Sequence, residues 1–553
     1  MLMVENLFGT DGIRGLVNLE QIGEKSAITR LLEHREISPA IMQLIGESLG
    51  RMTDQHSPQK MTVVIGWDDR PANMKLAESL TLGLNLAEFE VVHIGLCATP
   101  TLHLATLSHN AEFGCMITAS HNPVEDSGLK IFNKFGYKTT PEFEQNLSHT
   151  VISLAQEERE LDQIDVEFLQ QPATNFELQE WAIPRHKNWL ETRVTALAAL
   201  VKFQPKGNST KLTTPLLIDS SKGIASFWFA KWLSSWGIKA IEVSSEALAL
   251  NLNCGAGDFS PTQTWTFDEA QNSPHLLIQK LPKCAAGVVV AAALDGDGDR
   301  CLLIESTKTG YQVIDGDRIA DTFVNSVTKA GQSWTLAASI ESDLSLTTNL
   351  DRFQNKVESV ETAVGDRWLS FALSSQQSNH VYLESDSMPT VIGVEDSGHI
   401  VLPAPHPNLA NQWSLVGDGT MTLVAYLLAI HTCDETNLMN RGWKKRQSVK
   451  NVDRSKWDGK NQFSNDIESL FKQTLTKHNS VSNWARTTIS GEANLMAITC
   501  NYGDKMLSLG IRNSGTQAKI SVSARLEYGG DSSGIQTAID LVCQQLAKNM
   551  IIH

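Results

Sequence analysis

The densest chemical string is Asp295-Gly296-Asp297-Gly298-Asp299-Arg300, directly after the apolar run 285–294. Three carboxylates at alternate positions can project to one side of an extended turn, and the glycines between them let the backbone fold closely around an ion. Like charges packed together repel without a cation. Hard oxygen ligands suit Mg²⁺, which commonly joins carboxylates to a phosphoryl oxygen. A calcium EF-hand opens the same way, but here Arg300 stands at the sixth position, Ser306 at the twelfth, and a strand-like run precedes. A second string, Thr118-Ala119-Ser120-His121-Asn122-Pro123, follows the short apolar run 115–117. Ser120 at a strand-to-loop junction can be exposed as a nucleophile or phosphate carrier. His121 beside it can assist proton transfer or hold phosphate, and Lys130 follows ten residues on. A Ser-His-Asp hydrolase is poorly supported, because there is no GxSxG elbow.

Three further strings add binding chemistry. In Glu395-Asp396-Ser397-Gly398-His399, an extended segment would put Glu395, Ser397 and His399 on one face, with Asp396 pointing away. Carboxylate, hydroxyl and imidazole together suit the hydroxyls of a sugar. Arg512-Asn513-Ser514-Gly515-Thr516 offers a guanidinium, two hydroxyls and glycine-exposed amides, a phosphate cradle. The turn Phe8-Gly9-Thr10-Asp11-Gly12-Ile13-Arg14-Gly15 presents Arg14 without the spacing of a Walker A loop. Each of these alone is also compatible with an ordinary turn.

The elements that must hold these strings read as α/β. The runs 62–69, 90–96 and 215–223 are β-branched, end in Gly or Asp, and are followed by helical periodicity, which indicates parallel sheets buried on both faces. A helix begins near Ser38, with Pro39 in its first turn and Ile41, Leu44, Ile45 and Leu49 on one face. The segment 155–179 reads as a surface helix and linker, 204–214 as a polar loop, and 436–465 as a polar link to a last domain. A Gly-Asp-Arg triplet recurs at 298–300, 316–318 and 365–367, with flanks too different to establish duplication.

A chain of 553 residues suggests three or four domains, or one large α/β domain with insertions. Lys and Arg number 46 against 62 Asp and Glu, a formal charge of −16, which discourages broad nucleic-acid binding. A local pocket can still invert that sign for a small anion. The eight cysteines form no CxxC pair, which suggests reduced thiols and a cytoplasmic home. The N-terminal residues have no apolar core of a signal peptide, and the longest apolar run is too short to span a bilayer.

Taken together, the strings resemble the α-D-phosphohexomutases. TASHNP resembles that family's phosphoserine loop, DGDGDR its metal loop, GVEDSGH its sugar-binding loop and RNSGT its phosphate-binding loop, in family order at 118, 295, 393 and 512. Within the family, LFGTDGIRG, HNPVEDSGLKIFNKFGYK, NLNCGAGD (251–258), TAVGDRW (362–368) and GDGTMTLVAYLLA (417–429) are most similar to the branch of bacterial phosphoglucosamine mutases. Departures are Val394 for a glycine, Asp396 for a glutamine, Asn513, Gln517 and Ala518 in the phosphate loop, and Trp67 before Asp68. The chain is also longer than typical members, with the surplus near 18–34, 155–185 and 436–465.

The resemblance implies four domains around a central cleft: 1–185 with the phosphoserine loop, 186–307 with the metal loop, 308–434 with the sugar loop and 435–553 with the phosphate loop. The first three would be α/β with mixed sheets and the last α+β. It implies that Ser120 carries phosphoryl and shares in holding one Mg²⁺ per chain with Asp295, Asp297 and Asp299. Lys130 would transfer protons, Arg14 would serve phosphate or orientation, and His121 would assist with proton transfer or charge. Glu395, Ser397 and His399 would read sugar hydroxyls, and Arg300, Arg512, Ser514, Gly515 and Thr516 would hold phosphate. The implied reaction interconverts hexose 6- and 1-phosphates through a bound hexose 1,6-bisphosphate, glucosamine being the favoured sugar. The alternatives are phosphomannomutase or phosphoglucomutase, a Mg²⁺-dependent sugar phosphatase, or an inactive sugar-phosphate binder. The expected partner is a small phosphosugar, not nucleic acid or membrane, and the expected state is a monomer or homodimer.

Overall fold

The computed structural model describes residues 6–53, 60–157, 167–177, 180–201, 212–375, 382–513 and 518–551, which build four sheets in succession. The first has seven strands in the order Glu36–Ile37, Ile13–Val17, Asp126–Asn133, Phe113–Ile117, Thr62–Trp67, Glu90–Leu96, Thr174–Asn175. Thr62–Trp67 lies parallel between Phe113–Ile117 and Glu90–Leu96, while Asp126–Asn133 runs antiparallel to both its neighbours. The serine loop therefore leaves the C-terminal end of a buried parallel strand, where open α/β sheets place ligands. The antiparallel return strand brings Lys130 back opposite Met116. The helix Pro39–Met52 starts as its sequence dictates, with Ser38 Oγ accepting from the Ile41 N–H.

The second sheet runs Thr264–Thr266, Gly310–Ile314, Cys301–Ser306, Val289–Leu294, Leu212–Asp219, Ala240–Glu242. Val289–Leu294 is buried throughout, and the aspartate loop is the turn from it into antiparallel Cys301–Ser306. The third runs Val357–Thr362, Trp334–Ser339, Val391–Val394, Ile400–Pro405, Gln412–Gly417, Leu383–Glu384, and the sugar loop is the turn between Val391–Val394 and Ile400–Pro405. Both sheets mix parallel and antiparallel pairs. The fourth is wholly antiparallel: Trp443–Lys450, Lys519–Leu526, Lys505–Asn513, Leu495–Tyr502, Val481–Thr487, with helices Gln462–Thr476 and Ser533–Met550 sharing its core. This is the α/β architecture with mixed sheets and a final α+β unit that the sequence led us to expect.

Three sequence expectations need correction. A boundary at 307/308 would cut the hairpin in which Leu303 pairs with Ile314, so the second unit extends through Gly310–Ile314. A boundary at 185/186 would cut the helix Ala182–Leu200, whose Ile183, Leu190, Val194 and Leu197 join a core shared by the second and third sheets. The segment 436–465 is not a link: it contains strand Trp443–Lys450 and the start of helix Gln462–Thr476. That strand lies at the sheet edge, half solvated, so its polar sequence conceals it. Near 18–34 lies helix Glu24–His34, which buries Ala27, Ile28 and Leu31. Most of 204–214, and 158–166 and 178–179 within 155–179, fall outside the described residues. Among the described residues no helix is long and apolar enough to cross a membrane, and the cysteines form no disulfide.

Candidate active site

The turn after Val289–Leu294 buries Asp295, Asp297 and Asp299 and brings one ligand oxygen from each within 4.8 Å of the others. Ser120 Oγ, from the first sheet, donates to Asp295 Oδ2 at 2.7 Å. Burial pushes the Asp295 carboxyl well up, and the Asp299 and Asp297 charges beside it push the same way. Asp297 Oδ1 and Asp299 Oδ1 are buried with no hydrogen-bond partner among the described residues. Three crowded hard-oxygen ligands with unclaimed lone pairs fit Mg²⁺. Ser120 is not the exposed nucleophile that its loop position suggested: it is fully buried, at φ +53, with its hydroxyl turned to the aspartates.

Lys130 reaches the same carboxylates from its antiparallel strand, 2.6 Å from Asp297 Oδ2, 2.8 Å from Asp299 Oδ2 and 3.2 Å from Asp11 Oδ2. Burial works against its charge, but Asp11, Asp297 and Asp299 prevail and hold the ammonium well above its usual range. In this arrangement Lys130 is a fixed cation. Asp11 extends the network: its Oδ2 accepts from Arg14 at 2.7 Å and its Oδ1 pairs with Lys138 at 2.6 Å, and Lys138 pairs in turn with Asp366 at 2.7 Å. His121 Nδ1 lies 3.5 Å from Ser120 Oγ. Burial, with Arg300 and Arg14, lowers its imidazole to about 3, so it is neutral.

Residues 395–398 form a turn, not the extended segment expected, because Gly398 adopts φ +87 and its N–H returns to the Glu395 carbonyl at 3.1 Å. The turn still brings Glu395 and His399 together, Nδ1 to Oε2 at 3.8 Å, and His399 Nε2 lies 3.5 Å from Asp366. Glu395 Oε1 accepts from the Gly365 N–H at 2.6 Å. Ser397 does not line the cleft beside them, and Asp396 is turned to Lys444, 2.5 Å away.

One cavity of about 560 Å³ is walled by all four units and lined by Gly365, Asp366, Glu395 and His399 of these residues, while buried Ser120, Lys130 and the aspartate triad lie behind its lining. His121, Arg14 and Lys138 come from the first, Arg300 from the second, Glu395 and His399 from the third, and Arg446 and Arg512 from the fourth. Arg300 donates its backbone N–H to Asp295 at 3.2 Å and pairs antiparallel with His399, so the metal and sugar turns are joined. Arg512 pairs with Glu492 and approaches Glu341 at 3.7 Å, and Arg446 meets Glu341 at 2.6 Å. Ser514, Gly515 and Thr516 lie outside the described residues. The cleft lining carries six Arg and Lys side chains against five Asp and Glu, so it does not share the acidic excess of the chain as a whole.

Several residues were missed from sequence. Asp68 receives Thr118 Oγ1 at 2.6 Å, Asn73 at 2.6 Å and Arg70 at 3.1 Å, and so anchors the serine loop. Thr99 Oγ1 donates to Asp297 at 2.5 Å. Arg367, in the third Gly-Asp-Arg triplet, reaches the carbonyls of Thr10 and Thr139 at 2.8 and 2.9 Å and Glu144 at 2.8 Å, joining the third unit to the first. The recurring triplet signalled that site, and Asp11 stood in the turn chosen for Arg14. Nothing local in the sequence marks Lys138 or Arg446.

A buried serine bonded to an aspartate triad, joined through Arg300 to a four-unit cleft that carries further arginines, defines a phosphoryl-transfer site for an anionic substrate. Family models match twice: phosphoglucomutase/phosphomannomutase α/β/α domain I over residues 5–158 and domain III over 315–445, together more than half the chain. The chain belongs to the phosphoglucomutase/phosphomannomutase family of the α-D-phosphohexomutase superfamily. It is 25% identical to the phosphoglucosamine mutase of Novosphingobium aromaticivorans over 99% of this chain and 100% of that one. Against the phosphoglucosamine mutase of Francisella tularensis it is 26% identical over 77% of this chain and 79% of the relative. A phosphoglucomutase/phosphomannomutase family protein of Burkholderia thailandensis shares the fold over the full length of both chains, with a TM-score of 0.60 at 17% identity.

Proposed function

We propose that the protein is an intramolecular phosphotransferase that interconverts hexose 6-phosphate and hexose 1-phosphate through a phosphoserine at Ser120 and a bound hexose 1,6-bisphosphate. The observation that carries this reading is the 2.7 Å bond from Ser120 Oγ to Asp295, which puts a hydroxyl carrier from one unit on the aspartate triad of another. Asp295, Asp297 and Asp299 would hold Mg²⁺, with an oxygen of phosphorylated Ser120, and the ion would neutralise developing charge on the transferred phosphoryl group. Arg512 holds the phosphate that is not reacting. Glu395 and His399 hold sugar hydroxyls in either orientation of the bisphosphate. Arg14 and Arg300 add positive charge beside His121, and Lys130 fixes the carboxylates around the carrier. Neutral His121 is the group placed to accept a proton near Ser120 Oγ, and a phosphoryl dianion there raises its basicity.

Glucosamine phosphate is the proposed sugar, supported by the phosphoglucosamine mutases that the chain resembles along its length. Asp396, which departs from that branch, is tied to Lys444 and leaves Glu395 and His399 in the cleft. A panel of glucosamine, mannose and glucose phosphates, with hexose 1,6-bisphosphate as primer, tests the proposal. Highest kcat/KM on glucosamine 6-phosphate is expected. Preference for mannose or glucose phosphate would reassign the sugar, and release of free phosphate in place of isomer would replace the mutase by a phosphatase.

A further inference from the structure

We infer that Asn251 is a positioning residue for the serine carrier: from the second unit, its side-chain amide holds the strained Ser120 backbone so that Oγ stays on Asp295. This deepens the mutase reading and rests on it. Asn251 Nδ2 donates to the carbonyl oxygens of Ser120 at 2.7 Å and Asn122 at 2.9 Å. Arg70, from the first unit, donates to the same two carbonyls at 2.8 and 2.9 Å. Two side chains from different units thus grip one pair of backbone oxygens at the residue whose φ of +53 lies where a side chain is disfavoured.

The orientation of the Asn251 amide is itself fixed. Ser221 Oγ donates to Asn251 Oδ1 at 2.5 Å, which leaves Nδ2 for the carbonyls. Ser221 is held by its own N–H to Asp219 Oδ1 at 2.8 Å. The contact also explains a residue of the metal loop: a Cβ at Gly296 would stand 2.8 Å from the Ser120 carbonyl oxygen and 2.9 Å from Asn251 Oδ1. Glycine there lets the aspartate turn, the Asn251 amide and the serine loop pack as one unit.

The backbone chooses the variant. Asn251 has φ +60, which Asn and Asp tolerate better than Ala. Asn251→Asp therefore keeps the shape, the backbone and the acceptor for Ser221, but an ionised carboxylate cannot donate to either carbonyl. The full-length protein, primed with hexose 1,6-bisphosphate, is assayed for steady-state turnover and for single-turnover phosphoryl transfer from Ser120 to hexose monophosphate. A displacement of about 1 Å at a reacting group costs on the order of 10²-fold in rate. Asn251→Asp is expected to lose about that factor in kcat and in the single-turnover rate, with KM within about 3-fold of wild type. Ser221→Ala, which frees the amide to rotate, is expected to lower kcat about 3- to 10-fold with KM unchanged. A folded Asn251→Asp with unchanged kcat, or with a raised KM alone, overturns the inference. Should Asn251→Asp fail to fold, Ser221→Ala with wild-type kcat overturns it. A wild type that never carries phosphate on Ser120 and does not turn over overturns the mutase reading and the inference together, whereas a turning-over wild type beside an unimpaired Asn251→Asp overturns the inference alone.

Discussion

Replacing Lys130 with methionine removes one ammonium and little volume from the centre of the site. The side chain is 1% exposed and serves three carboxylates. Two of them keep other partners: Asp11 retains Arg14 and Lys138, and Asp297 retains the Thr99 hydroxyl. Asp299 is left without a hydrogen-bond donor among the described residues. Removing one partner of a buried ion pair costs about 3–5 kcal/mol, and the surviving contacts put Lys130→Met near 3 kcal/mol. Burial pushes the Asp297 and Asp299 carboxyls up, but with Lys130 present both are held below their usual range. For such groups the stabilisation is complete above about pH 4, the unfolded value, and is lost as pH falls through the folded value. The gap between wild type and variant is therefore widest at neutral pH and closes in acid. Urea unfolding without divalent cation, from pH 7 down to about pH 2, well below the unfolded value of about 4, reads this gap. Excess Mg²⁺ at about 100 times its Kd should return about 2.7 kcal/mol to the variant. A variant as stable as wild type at pH 7, or a gap that widens in acid, would refute the reasoning.

Two further substitutions test the walls of the cleft. Arg512→Ala should raise KM for the hexose phosphate about 10- to 100-fold, the value of a charge-assisted contact, with an unchanged circular dichroism spectrum; unchanged kinetics would remove Arg512 from the phosphate site. Gly398→Ala places a Cβ against the Cys301 carbonyl oxygen at φ +87, and so shifts the turn carrying Glu395 and His399. Its kcat/KM should fall on the order of 10²-fold, and normal turnover would show that this turn does not set the sugar site.

What could be read in the sequence was what is local. The aspartate triad declares itself because its three carboxylates share one short turn, and Thr62–Trp67 and Glu90–Leu96 because a buried parallel strand is a continuous apolar run. Strand Trp443–Lys450 was hidden because an edge strand exposes polar side chains on both faces. The sugar turn reads as extended because alternation brings Glu395 and His399 together just as a turn closed by a glycine at positive φ does; the two differ at Ser397, which the turn leaves out of the cleft. Asn251, Arg70, Lys138 and Arg446 could not be read at all. Their partners lie far away in the chain: folding of the first unit brings Arg70 to Ser120 and Lys138 to Asp11, and packing of separate units brings Asn251 to Ser120 and Arg446 to Glu341.

The central claim is that Ser120 carries the phosphoryl group that moves between the two ends of the sugar. Phosphopeptide mass analysis of the full-length protein after priming with hexose 1,6-bisphosphate, before and after addition of hexose monophosphate, tests this directly. One phosphoryl group on the peptide containing Ser120, lost to the added sugar as the bisphosphate appears, is the predicted result. Full isomerase turnover with Ser120 never modified, or loss of its phosphate to water, would contradict it.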